Sequence, residues 1–210
     1  MKRLFDVTLS SVGLVCLTLL LAWIGWRIKR EDGGPVFYRG ERVGLHGKSF
    51  RIFKFRSMVL NAEKLGPSST ADEDPRITRI GRFLRKYKMD ELPQLINVFL
   101  GDMSFVGPRP QVRWAVDLYT PEERIILSVR PGITDYASLY FSNEGEILKG
   151  SADPDQTYME KIHPLKTRLA LEYIRTRSFW VDLRIILKTV VSIVRNERGV
   201  GYDEKISNGC

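Results

Sequence analysis

The sequence predicts an α+β chain, mainly helical, in which an N-terminal membrane segment carries a small domain with a short β-hairpin and amphipathic helices. Three observations predict it. Val7 to Trp26 holds no charged residue, with Lys2 and Arg3 before it and Arg27, Lys29 and Arg30 after it; roughly 20 apolar residues can span a bilayer. Several later stretches repeat apolar residues at helical spacing. Val36 to Arg39 and Ser49 to Met58 read as extended, divided by Gly40, Gly44 and Gly47 in the manner of a hairpin.

Composition bounds the rest. The chain has 210 residues, 43% of them hydrophobic, which is enough for one domain with a real core. A net charge of +8 implies an acidic partner: nucleic acid, anionic lipid or a phosphorylated substrate. Cys16 lies in the apolar run and Cys210 is the last residue, so neither a zinc motif nor a structural disulfide is expected. His46 and His163 stand alone. A cleaved signal peptide is disfavoured, because the apolar run is long and cations follow it. Positive charge tends to remain cytoplasmic. A straight crossing would export Lys2 and Arg3, whereas a segment that enters and returns keeps both flanks inside. Gly13, Thr18 and Gly25 are the bending points available, Thr18 through a hydroxyl bond to the preceding turn. The residues alone leave both topologies open.

Beyond Gly33-Gly34-Pro35, the extended Phe50 to Met58 sets Arg51, Lys54 and Arg56 among aromatics, which also describes an ordinary solvated edge strand. Asn61 to Thr70 starts helical and breaks at Gly66-Pro-Ser-Ser-Thr70; with Ala71 to Arg76 it is the expected mobile loop. Ile77 to Lys88 reads as a helix with Ile80, Phe83, Leu84 and Tyr87 on one face. Arg79, Arg82, Arg85, Lys86 and Lys88 fall largely on the other, either solvated or facing anions. Near a membrane each such cation gains about 1 kcal/mol at an anionic surface. Gln111 to Leu118 and Pro121 to Leu127 read as helices, and Val129 to Thr134 as a turn into an extended piece, Tyr136 to Phe141. Asp153 to Asp155 is loop, and Pro164 to Arg177 is a basic helix. Ser178 to Arg195 is amphipathic, with Trp180, Leu183, Leu187, Val190, Val191 and Val194 opposite Asp182, Arg184 and Lys188. Its apolar face either packs on the core or lies in a membrane interface with Trp180 as anchor.

The chemistry concentrates in Lys88 to Pro110. Asp90 and Glu91 precede a short helix, Leu92 to Leu100, with Pro93 in its first turn and Gly101 at its end. Two carboxylates at a helix N-terminus are electrostatically favoured, and the plain reading makes Asp90 an N-cap. Arg109 follows in the stiff Gly-Pro-Arg-Pro loop with Pro108 and Pro110.

These pieces fall into an ordered set: Lys2-Arg-Leu-Phe-Asp6, Gly34-Pro-Val-Phe37, Arg42-Val-Gly44, Phe53-Lys-Phe-Arg-Ser-Met58 and Asp74-Pro-Arg-Ile-Thr-Arg-Ile-Gly81. Asp90-Glu-Leu-Pro-Gln94, Gly101-Asp-Met-Ser-Phe-Val-Gly-Pro-Arg-Pro110 and Arg130-Pro-Gly-Ile-Thr134 complete it. The set resembles the bacterial sugar transferase family, the monotopic polyprenyl-phosphate phosphoglycosyl transferases, from Lys2 to about Arg195. The resemblance implies an enzyme of surface-glycan synthesis on the cytoplasmic face of the bacterial inner membrane. Such enzymes transfer a sugar-1-phosphate from a UDP-sugar to undecaprenyl phosphate and release UMP. Carried over, Asp90 is the nucleophile and Glu91 its partner, both near magnesium. Arg109, flanked by Pro108 and Pro110, binds the nucleotide, and Lys54, Arg56, Arg79 and Arg130 are weaker phosphate ligands. The resemblance also implies a re-entrant segment over 1–30, a cytoplasmic domain over 31–198 and a flexible tail over 199–210, in a minimal form without further membrane helices. It implies no nucleic-acid partner; a homodimer is compatible with it.

Two places depart from the family pattern. Thr18-Leu19 stands where a Ser-Pro pair commonly bends the membrane segment, so a shallower return is expected. Asp135-Tyr-Ala-Ser138 stands where Gly-x-Ala-Gln is usual, and no sugar is carried over. Two other classes stay open: a membrane-anchored metal-dependent phosphodiester hydrolase using the same acids, and a non-catalytic basic membrane-anchored module binding anionic lipid or nucleic acid.

Overall fold

The computed structural model describes residues 1–66, 70–71, 73–141 and 147–195. The expected tail over 199–210, with Cys210, lies outside them.

Helix α1, Lys2–Asp32, runs unbroken to a left-handed cap at Gly33, whose N–H donates to Lys29 O at 3.0 Å. At ~1.5 Å per residue it is ~46 Å long. Among the described residues it is the one helix long and apolar enough to cross a membrane. Thr18 Oγ1 donates to Leu14 O at 2.7 Å, as its type suggests, but the helix continues through it. Asp6, Ser10, Ile24, Gly25 and Ile28 are buried along one stripe, while Leu4, Val12, Val15, Leu19, Trp23 and Trp26 face outward.

Both ends of α1 dock on the rest of the chain. At the start, Lys2 pairs with Asp182, and the Arg3 guanidinium donates to Val98 O and to Phe99 O. Asp6 accepts from Ser104 Oγ at 3.1 Å and Phe105 N at 3.2 Å. At the far end Asp32 is forked onto Arg56, and the Glu31 carboxylate accepts from Arg79 N at 2.9 Å and Ile80 N at 3.3 Å.

The extended segments pair as expected, in two short antiparallel steps. Strand β1, Phe37–Tyr38, pairs with β4, Lys54–Phe55; β2, Glu41–Val43, pairs with β3, Ser49–Arg51. Helix α2, Arg79–Lys86, is capped by Thr78, whose hydroxyl accepts from Gly81 N at 3.0 Å. Its buried side is Gly81 and Leu84; Phe83 and Tyr87, read as part of the apolar face, are exposed and pack on each other with tilted rings. Helix α3, Gln94–Leu100, ends at Gly101 with φ 97°. It is followed by β5, Ser104–Val106, and α4, Arg113–Asp117. A 3-10 turn, Glu123–Ser128, replaces the helix read from Pro121.

Two stretches differ outright from the sequence reading. The strand after Arg130 is β6, Gly132–Thr134, which pairs in parallel with β5, whereas Tyr136–Tyr140 forms helix α5. Asp135 decides this, because its Oδ1 accepts from Ser138 N at 2.6 Å and caps the helix. Asp153 likewise caps α6, Pro154–Thr157, rather than lying in a loop; a π turn joins it to α7, His163–Thr176.

Helix α8, Phe179–Arg195, turns the other way from its hydrophobic pattern. Its buried residues are Asp182 and Ile185, while Trp180, Leu187, Val190, Val191 and Val194 are exposed. Asp182 tolerates burial because Lys2 pairs with it and Tyr173 donates its hydroxyl to it at 2.7 Å. The core is a chain of small clusters; Ile24, Ile28, Phe55 and Leu84 seat α1, and Ile52, Val98 and Met103 lie under the first sheets.

Candidate active site

Asp90 and Glu91 sit on a 3-10 turn, Met89–Glu91, between α2 and α3. Lys88, just before it, has φ 55°, a left-handed conformation that is costly for a residue with a side chain. That turn swings the two acids against β4. Asp90 is therefore not an N-cap: it lies inside the turn, and no side chain caps α3, which starts after Pro93.

Glu91 is clamped. Lys54 Nζ stands 2.7 Å from its Oε1, and Arg109 Nη2 donates to the same oxygen at 2.6 Å, with Nη1 3.4 Å from Oε2. Among the described residues Asp90 receives only the longer approach of Lys54, 3.9 Å from Oδ2. Environment thus splits two adjacent acids. Burial pushes the Asp90 carboxyl up, and Lys54 offsets only part of the shift while Glu91 adds to it. Burial would push Glu91 up as well, but the charges of Arg109 and Lys54 outweigh it and hold Glu91 well below its usual range.

The loop carrying Arg109 is fixed by a close backbone crossing. A Cβ on Gly107 would stand 2.3 Å from Arg130 O, and one on Gly132 would stand 2.1 Å from Gly107 N. Only glycines permit this approach. Gly107 N donates to Thr134 O at 3.1 Å, Gly132 N donates to Pro108 O at 3.0 Å, and Arg109 N donates to Asp135 Oδ2 at 3.2 Å. Pro108 and Pro110 line a small cavity behind the loop together with Gly44, Gln111 and Tyr119.

Of the phosphate ligands expected from sequence, Lys54 and Arg109 converge on the acids. Arg56 is buried and committed to Asp32, Arg130 Nε donates to Gly101 O at 2.9 Å, and Arg79 lies exposed at the start of α2. None of these three contacts Asp90 or Glu91 in the hydrogen bonds and ion pairs of the described residues. Sequence reasoning missed Gln94 and Asn97, 1% and 0% exposed. Asn97 accepts from Phe53 N at 2.7 Å and donates to Arg51 O at 3.0 Å, holding β3 and β4 beside α3. The signal was available: both are polar residues sharing a helix face with the buried Val98.

Among the described residues no three His, Cys, Asp or Glu side chains cluster as a metal cage. Two adjacent carboxylates and the oxygens of a bound diphosphate are nevertheless the hard donors that magnesium takes. Asp90, with no close partner, has the freer oxygens of the pair.

A family profile described as bacterial sugar transferase matches residues 1–196. The undecaprenyl-phosphate galactose phosphotransferase of Salmonella typhimurium is 34% identical over 94% of this chain and 41% of its own length. The UDP-N-acetylgalactosamine-undecaprenyl-phosphate N-acetylgalactosaminephosphotransferase of Aeromonas hydrophila is 36% identical, covering 92% of this chain and 43% of its own length. The chain thus spans less than half of either relative. An uncharacterized sugar transferase of Bacillus subtilis, EpsL, is 35% identical over 94% of this chain and 89% of its own length. By that match over residues 1–196, the chain belongs to the bacterial sugar transferase family.

Proposed function

We propose that the chain transfers a sugar-1-phosphate from a UDP-sugar to undecaprenyl phosphate, giving the polyprenyl-diphosphate sugar and UMP, the first membrane step of a surface glycan. One observation carries this reading: a buried, weakly paired Asp90 stands beside a Glu91 already neutralised by Lys54 and Arg109. One acid is left free to act while the other organises cations, which is the division a nucleophile needs near an anionic substrate. The names of the Salmonella and Aeromonas relatives support the lipid acceptor.

The Asp90 carboxylate oxygen attacks the sugar-side phosphorus. A new oxygen–phosphorus bond forms as the bond to the UMP oxygen breaks, leaving an aspartyl-phosphosugar. An oxygen of undecaprenyl phosphate then attacks the same phosphorus, and the bond to Asp90 breaks to restore the carboxylate. Lys54 and Arg109 turn from Glu91 to the diphosphate, and Arg109 holds the nucleotide part. Magnesium, held by Asp90 and Glu91 when bound, would neutralise charge on the diphosphate. We place the outward apolar stripes of α1 and α8 in the inner leaflet of the bacterial inner membrane, with the acids on the cytoplasmic side. The docking of both ends of α1 on one domain supports a segment whose two ends stay on one side of the membrane.

The test supplies UDP-glucose, UDP-galactose and UDP-N-acetylgalactosamine to the purified protein, with and without undecaprenyl phosphate. UMP release that depends on the lipid is expected, and Asp90→Asn should lower it by several orders of magnitude. Sugar phosphate released without lipid would instead identify a phosphodiester hydrolase. Near-normal turnover by Asp90→Asn would remove the covalent route.

A further inference from the structure

Gln94 opens α3 and is 1% exposed, yet its side chain makes no hydrogen bond, and Nε2 is buried without a partner. Among the described residues no other buried side-chain nitrogen or oxygen stands unpaired. Native interiors seldom leave such a donor without an acceptor, because the lost hydration is not recovered. A partner that arrives during function is one way such a donor is satisfied.

Its position identifies the partner. The face of α3 that bears Gln94 also bears Asn97, which is bonded to Phe53 N and Arg51 O on the neighbouring strand segment. The next residue on that segment, Lys54, is the one that reaches Glu91 and Asp90. Gln94 lies one turn nearer the acids than Asn97, and helical side chains lean toward the N-terminal end of their helix. Here that end is the Met89–Glu91 turn. Asp90, four residues before Gln94, is buried and has only Lys54 at 3.9 Å, beyond hydrogen-bond length. A donor without an acceptor and an acceptor without a close donor therefore flank the same junction.

We infer that Gln94 is a positioning residue for Asp90, donating its amide N–H to one carboxylate oxygen when an anionic substrate draws Lys54 away and leaving the other oxygen free to attack. The inference rests on the proposed role of Asp90 as nucleophile. A neutral donor suits this role, because it favours the ionised carboxylate without adding a charge that competes for the diphosphate. It also explains why an uncompensated amide is retained in the interior, where an apolar side chain of equal size would be more stable.

The experiment compares wild type, Gln94→Met, Gln94→Asn and Asp90→Asn as full-length protein, using the three UDP-sugars with undecaprenyl phosphate. Gln94→Met keeps the length and removes the donor. It should melt at or above the wild-type temperature, while kcat falls roughly ten- to a hundredfold. KM for the UDP-sugar should stay within about twofold, and the acidic limb of the pH–rate profile should move up by about one unit. Gln94→Asn, which keeps an amide, should hold more kcat and a limb nearer wild type. Wild-type kcat and an unmoved limb in Gln94→Met overturn the proposal. So does a fall in kcat with lowered melting and an unmoved limb, which would reduce Gln94 to packing. If Asp90→Asn still turns over, the reading of Asp90 itself fails, and the role of Gln94 fails with it.

Discussion

Asp90 is destabilising where it stands, and that has a measurable sign. Its folded carboxyl is raised by burial, so its ionisation opposes folding. Below the unfolded carboxylate value, about pH 4, the residue is neutral in both states and costs nothing. As pH rises through the raised folded value, stability falls. Asp90→Asn should therefore melt higher than wild type near pH 7, an advantage that vanishes toward pH 4, even as activity is lost. Thermal melting across that range checks it, and equal melting at both ends would contradict the burial argument. On the proposed mechanism activity runs in the opposite sense, since attack by Asp90 needs the ionised form. The charges acting on Asp90 are those of Lys54, Glu91, Arg85 and Lys88, with Lys54 the largest favourable one. Lys54→Met should shift the acidic limb of the pH–rate profile upward as well as lower kcat. For Arg109→Ala the expected change is a rise in the KM for UDP-sugar of about tenfold or more, as a planar fork on the diphosphate is lost. Unchanged KM and kcat together would return Arg109 to holding Glu91. At this scale the sequence was legible where a residue type has one strong use. Asp90, Glu91, Lys54 and Arg109, singled out from the sequence, come together in the structure, but Arg56 was not separable from them. Its partner, Asp32, lies 24 positions away, and only the fold brings the two together.

At the level of elements, the site depends on two pieces of backbone touching. The Arg109 loop leaves β5, and Gly132 opens β6; with Gly107 they form a crossing too close for any Cβ. Gly132→Ala puts a methyl carbon into Gly107 N, and only backbone movement can relieve it. Loss of kcat and a raised KM are expected, with a melting temperature lowered by several degrees. A variant with wild-type kinetics would show that the loop does not need this contact. Helices with a continuous stripe and a cap were read within a few residues, as α1, α2, α7 and the extent of α8 show. The β5–β6 pair was not, because three-residue strands 28 positions apart in register carry no local period. Nor was α5: its five residues are too few for periodicity, and the Asp135 cap that makes them helical sits just outside them. Helix α8 was read in extent and left open in orientation. An exposed apolar face is the costlier arrangement in water, and it is retained here because Asp182 has partners inside.

For the whole molecule the decisive feature is that α1 is tethered at both ends to one body, by Lys2 to Asp182 and by Asp32 to Arg56. A helix of ~46 Å is long enough to cross a ~30 Å hydrocarbon layer. A crossing would put its two ends on opposite faces, and a single water-facing domain cannot hold both. An unbroken helix held at both ends is instead suited to lie along one leaflet. That placement would turn the outward row of Leu4, Val12, Val15, Leu19, Trp23 and Trp26 to lipid. The basic flanks favour the same side for both ends. Because Thr18 bonds back to Leu14 O without breaking the helix, penetration should be shallow. A single cysteine inserted after Met1, with Cys16 and Cys210 replaced by Ser, should resist a membrane-impermeant thiol reagent in intact cells and react once the cells are permeabilised. Labelling in intact cells would place the N-terminus outside, and the Lys2–Asp182 contact would then be incompatible with the membrane-bound protein. The paired control is Asp182→Ala in the same background. It releases Lys2, so the inserted cysteine should react faster after permeabilisation while remaining protected in intact cells.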